Sequence, residues 1–282
     1  MLGLALSLAS AASWGISDFL GGLQTRRLPV LAVLAVSQPV GLLLIAILIA
    51  LTGADSISAG KLAIAFLAGV ASLGGLAAFY SAMAMGTVSV VAPIASLGVV
   101  VPIVVGLAEG ESPAAIQLAG LVPAIAGVII LSYEEQPEHG ESARVARLSV
   151  LLAIVAGLGF GIFYVALDAA SAGRPGWAIL AVRCGGVATV LVALLATRTR
   201  FDGVAAAWPV LIVIGVFDVS ANTLLAFATT KGVLPVVAVG GSMYPAFTVA
   251  LAHAVLGERL ASLQWFGVVL ALAGVAMIAA GS

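Results

Sequence analysis

Three observations predict an all-α polytopic membrane protein, with ten transmembrane helices arranged as two inverted five-helix repeats. The composition is 63% hydrophobic and only 8% charged over 282 residues, where soluble domains carry about 25% charged residues. Polar breaks divide the chain into ten apolar runs, each near the roughly 20 residues that cross a bilayer. The second half of the chain repeats the first. Because the runs are continuously apolar rather than alternating, a transmembrane β-barrel is excluded. A formal net charge of −1 gives no reason to expect nucleic acid as a partner. The expected partners are the lipid bilayer and a small-molecule solute, with the chain acting as a monomer or homodimer in the plasma (inner) membrane.

In chain order the spans fall at 2–23, 29–52, 62–85, 88–108, 113–132, 148–169, 176–196, 207–230, 233–256 and 262–280. The opening MLGLALSLASAASWG has the small residues of a secretory leader but no basic start. It also aligns with the internal stretch 150–161, so it is read as span 1. Spans 3 and 8 end in matching short junctions, GTVSVVAPIAS from Gly86 and GVLPVVAVGGS from Gly232. These are tight turns into spans 4 and 9. Cys184 is the single cysteine, so no intrachain disulfide forms.

A shift of 146 residues lays positions 4–96 on 150–242 without a gap, with 19 of 93 pairs identical. The matches fall at structural punctuation: Gly15-Ile16 on Gly161-Ile162, Pro29 on Pro175, Gly69-Val70 on Gly215-Val216, Gly86 on Gly232 and Ser96 on Ser242. After one inserted residue, Glu111 falls on Glu258, Gln117 on Gln264, Gly120 on Gly267 and Gly127 on Gly274. The domains are therefore a first repeat at 1–133, a polar linker at 134–147 and a second repeat at 148–282. Five spans is an odd number, so the second repeat enters the membrane in the opposite sense. Many secondary transporters are built this way, with a site near the midplane between the repeats.

Small residues fill the spans. Gly157 and Gly161 have the GxxxG spacing that lets helix backbones approach where no hydrophobic effect drives association. Prolines at 39, 93, 102, 123 and 245 remove backbone donors and kink or loosen their helices. Seven arginines (26, 27, 144, 147, 198, 200 and 259) occupy the odd-numbered loops, against Lys61, Arg174, Lys231 and the more deeply placed Arg183 on the other face. By the positive-inside rule the odd loops are cytoplasmic and both termini lie outside.

Charged groups at membrane depth mark functional sites. Asp218 is the deepest, and Asn222 shares its face one turn on. Arg183 in span 7 either snorkels outward or turns inward to Asp218. Such a pair either neutralises itself or holds a carboxylate or amine of a solute. Span 1 carries Ser10, Trp14, Ser17 and Asp18 on roughly one face, which reads either as a cavity wall or as helix packing. Asp18 and His253 lie at similar depth, and with Asp218 they are the proton-coupling candidates. Gln38, Tyr80, Ser96, Tyr164, Ser242 and Tyr244 complete the candidate lining, as ligand contacts or as ties between helices. Tyr164 falls on Asp18 in the repeat and Asp218 falls on Ser72, so the two halves offer different chemistry at matching places.

These residues bring in a resemblance. Tyr80–Gly86 before the junction, Glu111-x5-Gln117-x2-Gly120-x6-Gly127, and the second-half echoes Met243-Tyr-Pro-Ala-Phe, Gly257-Glu-Arg-Leu, Gln264-x2-Gly267 and Gly274 resemble the EamA-type members of the drug/metabolite transporter superfamily. The resemblance covers nearly the whole chain. It implies ten helices in two inverted repeats around a central cavity, and efflux or exchange of small metabolites such as amino acids, sugars or nucleotide precursors. The chain departs from the pattern in lacking a first-half proline at the place of Pro245. Several members of the family also keep both termini in the cytosol, opposite to the charge bias here.

Glu111 and Glu258 each precede the next helix by a turn and are expected to cap that helix, where its dipole favours a carboxylate. An intramembrane enzyme is disfavoured. Ser242 and His253 share a helix but lie eleven residues apart, about 16 Å along its axis. Asp18 and Asp218 have no flanking signature of a carboxylate dyad. No metal-ligand spacing or phosphate loop occurs, so neither a metal nor a cofactor is expected. A non-transporting membrane scaffold is the remaining alternative. The expected mechanism is alternating access, with spans 1, 3, 4, 6, 8 and 9 lining the cavity.

Overall fold

The computed structural model describes all residues except 54, 111, 113, 135–140, 172–174, 230, 232–233 and 281–282. Its described residues form helices, with no strand among them. The order is α1 (Leu2–Thr25), α2 (Val30–Thr52), α3 (Ala59–Met85), α4 (Val88–Ser96), a 3-10 turn (Leu97–Val99), α5 (Val100–Ala108), α6 (Ala115–Glu134), α7 (Glu141–Ser171), α8 (Pro175–Ala196), α9 (Val204–Thr229), α10 (Leu234–Ser242), α11 (Tyr244–Leu256) and α12 (Ser262–Ala280). Among the described residues, eight helical stretches are long and apolar enough to cross a membrane, and 115–130 is a shorter apolar helix. Helix α1, with its serines and Asp18, falls outside that set.

Two expected spans are interrupted. Span 4 tightens into the 3-10 turn at Leu97–Val99 between α4 and α5. Pro93 and Pro102 each withhold a backbone donor on either side of it, and Ser96 Oγ donates to the Pro93 carbonyl at 2.7 Å. Span 9 breaks at Met243, where Pro245 stands in the first turn of α11. The linker is also shorter than expected, because α7 already begins at Glu141. Ala143, Ala146, Ser149 and Val150 are buried at helical spacing, so the end of the polar stretch is an amphipathic extension of α7.

Glycine sets the packing. Helix α1 packs on α9, α3 on α7 and α6 on α12. A Cβ at Gly69 would run into the Val182 carbonyl of α8, and one at Gly215 into the Ser37 carbonyl of α2. Gly15 meets the Tyr244–Thr248 turn of α11, and Gly161 meets Gly98 and Val101. In each case residues 146 apart make corresponding approaches. The first junction is tight: only Gly86 and Thr87 separate α3 from α4. The Ser149 side chain of α7 occupies the space a Gly86 side chain would need.

Candidate functional site

Three helices build the charged centre. Arg183 of α8 is 7% exposed, and its Nη1 forms an ion pair with Asp218 of α9. The same nitrogen donates to Gln38 Oε1 of α2 at 3.1 Å. Of the two directions open to Arg183, the inward one is taken. A buried guanidinium requires a paired carboxylate and further acceptors, and Asp218 and Gln38 supply both. Asn222 Nδ2 donates to the Asp218 carbonyl at 2.8 Å, which fixes its amide beside the pair.

This centre faces a chamber of about 80 Å³ whose lining includes Trp14, Asp18, Gln38, Ser72, Phe160, Phe163, Tyr164, Arg183, Asp218, Asn222 and Tyr244. A second cavity of about 680 Å³ shares Trp14, Phe160, Tyr164 and Tyr244 with it. Trp14 and Tyr244 meet edge to face, with ring centroids 6.2 Å apart. These four aromatic side chains form a collar between the small chamber and the larger vestibule. The vestibule runs past Ser96 and Ser242 to Ser112, Ala114, Gln117 and Asp168. Those last residues lie at the end of the bundle that carries the even-numbered loops.

Eight of the expected site residues therefore line the chamber: Trp14, Asp18, Gln38, Tyr164, Arg183, Asp218, Asn222 and Tyr244. Ser96 and Ser242 line the vestibule, and the Ser242 hydroxyl donates to its own helix at Val239 O, 2.8 Å away. Three expectations are corrected. Ser17 lies outside both linings and donates to the Ile214 carbonyl of α9 at 3.0 Å, as Ser10 does to Ala221 at 2.7 Å. The serine stripe of α1 ties helices together because α9, and not the cavity, covers that face. Tyr80 is 1% exposed and packs into the space left by Gly21. His253 is exposed and outside both linings; its Nδ1–H donates to the Glu258 carbonyl at 2.8 Å, closing the C-terminal turn of α11. Spans 2, 5, 7 and 10 also contribute lining, beyond the six expected.

Phe160 and Phe163 were not anticipated. Phe160 could have been found, because the 146-residue shift places it on Trp14. Asp168 is exposed at the vestibule mouth.

At the odd-loop end the bundle is tied shut. Gly257 has φ 65°, a left-handed conformation that suits glycine, and it turns the chain so that Glu258 reaches α4. The Glu258 carboxylate accepts from Val88 N at 3.1 Å, Ser89 N at 3.0 Å and Ser89 Oγ at 2.8 Å, and lies 3.6 Å from Arg26 Nη2. Glu258 is thus a cap, as expected, but of a helix in the first half rather than of α12. The start of α12 is served instead by Gln264 Oε1, which accepts from Ala261 N at 2.8 Å. Gly110 also has a positive φ, 88°, while Glu111 lies outside the described residues.

The sequence model of the EamA-like transporter family matches twice, over residues 1–133 and 147–280. A protein crystal structure is similar over 96% of this chain and 96% of its own, with TM-score 0.62 and 14% identity. That likeness is one of fold alone. No curated protein matches the sequence.

Proposed function

The chain belongs to the EamA-like transporter family, and from that premise we propose that it is a secondary transporter moving a small amino-acid-like or amphipathic solute by alternating access. It crosses the plasma (inner) membrane ten times, as two inverted five-helix repeats at 1–133 and 148–282 joined through 134–147, whose end from Glu141 onward is an extension of α7. It catalyses no covalent chemistry and works as a monomer or homodimer.

One observation carries the reading: a chamber between the halves that holds charged groups among apolar walls, with a vestibule beside it towards one end of the bundle and the Glu258 tie at the other. Matching positions of the two halves line the same chamber, namely Trp14 with Phe160, Asp18 with Tyr164 and Ser72 with Asp218. A solute bound there touches both repeats, as a rocking mechanism requires. The vestibule reaches the even-loop end, while Glu258, Arg26 and the start of α4 close the odd-loop end. With the arginine-rich odd loops in the cytoplasm and both termini outside, this conformation faces outward. The charge centre, Trp14, Tyr164 and Tyr244 are the solute contacts, with Ser96 and Ser242 in the vestibule wall.

Purified protein in liposomes tests this reading. Solute-dependent flux is expected. A cysteine at position 14 or 222, in a Cys184→Ala background, is expected to be shielded by a transported solute. Equal labelling with and without every solute in a broad metabolite screen, and no flux, would favour the non-transporting scaffold.

A further inference from the structure

We propose that the chamber recognises the cationic amine of its solute, with Asp18 as the group that receives it. The proposal rests on the transport reading and names the chemistry its solute presents. Asp18 is 9% exposed and lines the chamber. Among the described residues its carboxylate has no hydrogen bond or ion pair: the buried cation nearest the chamber, Arg183, is paired with Asp218. A buried carboxylate without a partner is costly, and an incoming ammonium supplies both the opposite charge and three donors.

The other charges select in the same direction. Among the described residues of the two linings Arg183 is the single cation, and it is already engaged by Asp218 and Gln38. Its Nε is buried without a partner, and both acceptors that hold the guanidinium, a carboxylate and an amide oxygen, bind at Nη1. Among the described lining residues, Asp18 and Asp218 in the chamber and Asp168 at the vestibule mouth outnumber that guanidinium. A low-dielectric passage lined by an excess of one charge concentrates the opposite ion.

Shape divides the solute into head and body. The chamber of about 80 Å³ admits a small headgroup. The vestibule of about 680 Å³ is of drug-sized dimensions, and its walls at Ala95, Val99, Ile103, Leu225 and Ile278 are apolar. Trp14, Phe160, Tyr164 and Tyr244 line both cavities, and aromatic rings beside a cation favour ammonium groups.

The test uses the full-length protein in nanodiscs and three probes sharing a phenylalkyl body: 2-phenylethylamine, phenylalanine and 3-phenylpropanoate. In calorimetry the amine is expected to bind roughly tenfold or more tightly than the other two, as one charge-assisted contact provides. Asp18→Asn is expected to abolish that preference while leaving the thermal midpoint unchanged or raised, and Asp18→Glu to retain part of it. Equal affinity for zwitterion or carboxylate, an unchanged preference in Asp18→Asn, or no binding of the amine at millimolar concentration would each overturn the assignment. Amine binding without flux in liposomes would instead leave the site standing and remove the transport reading. Flux of zwitterions without amine binding would do the reverse.

Discussion

The Glu258 carboxylate and the Ser89 hydroxyl meet at 2.8 Å although 169 residues separate them in the chain. With the Val88 and Ser89 amides also bound, Glu258 satisfies donors that the first turn of α4 leaves unpaired. It does so with a negative charge, which the helix dipole favours. Glu258→Ala is therefore expected to cost the stability of a lost cap, about 1–2 kcal/mol, read as a lower unfolding midpoint in mixed micelles. Because the tie spans the two halves, its loss is also expected to open the odd-loop end. Ala92, fully buried in α4, replaced by cysteine in a Cys184→Ala background, should gain labelling from that side only when Glu258 is removed. An unchanged labelling rate would limit Glu258 to a structural role.

The Arg183–Asp218 pair separates stability from transport. Arg183→Ala strands the Asp218 charge, which for a buried pair costs about 3–5 kcal/mol. The double variant Arg183→Met, Asp218→Leu replaces both charges with apolar groups and is expected to recover most of the unfolding midpoint. Flux is not expected to recover in it, nor in the charge-swapped double variant, because the chamber loses the polar geometry that contacts the solute. Full recovery of flux in the swap would reduce the pair to structural neutralisation.

Much of this architecture is legible in the sequence because apolar run length and glycine placement act locally. The span limits follow from where polarity interrupts a 20-residue requirement. The depth of Asp218 and Arg183 follows from counting along a helix. What is not legible depends on which neighbour covers a face. Ser17 and Trp14 share a stripe on α1, but α9 takes the Ser17 side and the cavity takes Trp14. Glu258 stands one turn before α12, so the local pattern names the wrong helix; only the fold brings Val88 and Ser89 to it. Phe160 looks like any lipid-facing phenylalanine until the repeat places it opposite Trp14.

Glycine positions are expected to divide sharply. A methyl group at Gly69 meets the Val182 backbone carbonyl, which cannot rotate away, so Gly69→Ala is expected to cost about 1–3 kcal/mol as overpacking. Gly74 on the same helix has nothing within 4 Å of the added carbon. Gly74→Ala is expected to be neutral, or to gain about 0.5–1 kcal/mol from helix propensity. Thermal midpoints of the two purified variants make the comparison, and equal loss at both would refute the close α3–α8 approach.

Ser96 and Ser242 allow a distinction between hydroxyl chemistry and space. Each hydroxyl donates to a carbonyl three residues earlier in its own helix, Pro93 and Val239 respectively, so neither has its proton free for a solute. Ser96→Ala and Ser242→Ala are therefore expected to change solute affinity by less than about 1 kcal/mol, the scale of a modest net hydrogen bond. Ser242→Trp instead places an indole in the vestibule, beside Leu225 and Ile278 in the same wall. Flux is expected to fall at least roughly tenfold, since blocking the path adds about 1.4 kcal/mol or more to the barrier. A small headgroup mimic such as methylammonium, which needs only the chamber, is expected to keep its affinity in that variant. Measuring methylammonium binding and solute flux on the same preparation separates a blocked path from a misfolded protein: only the former preserves binding while flux is lost.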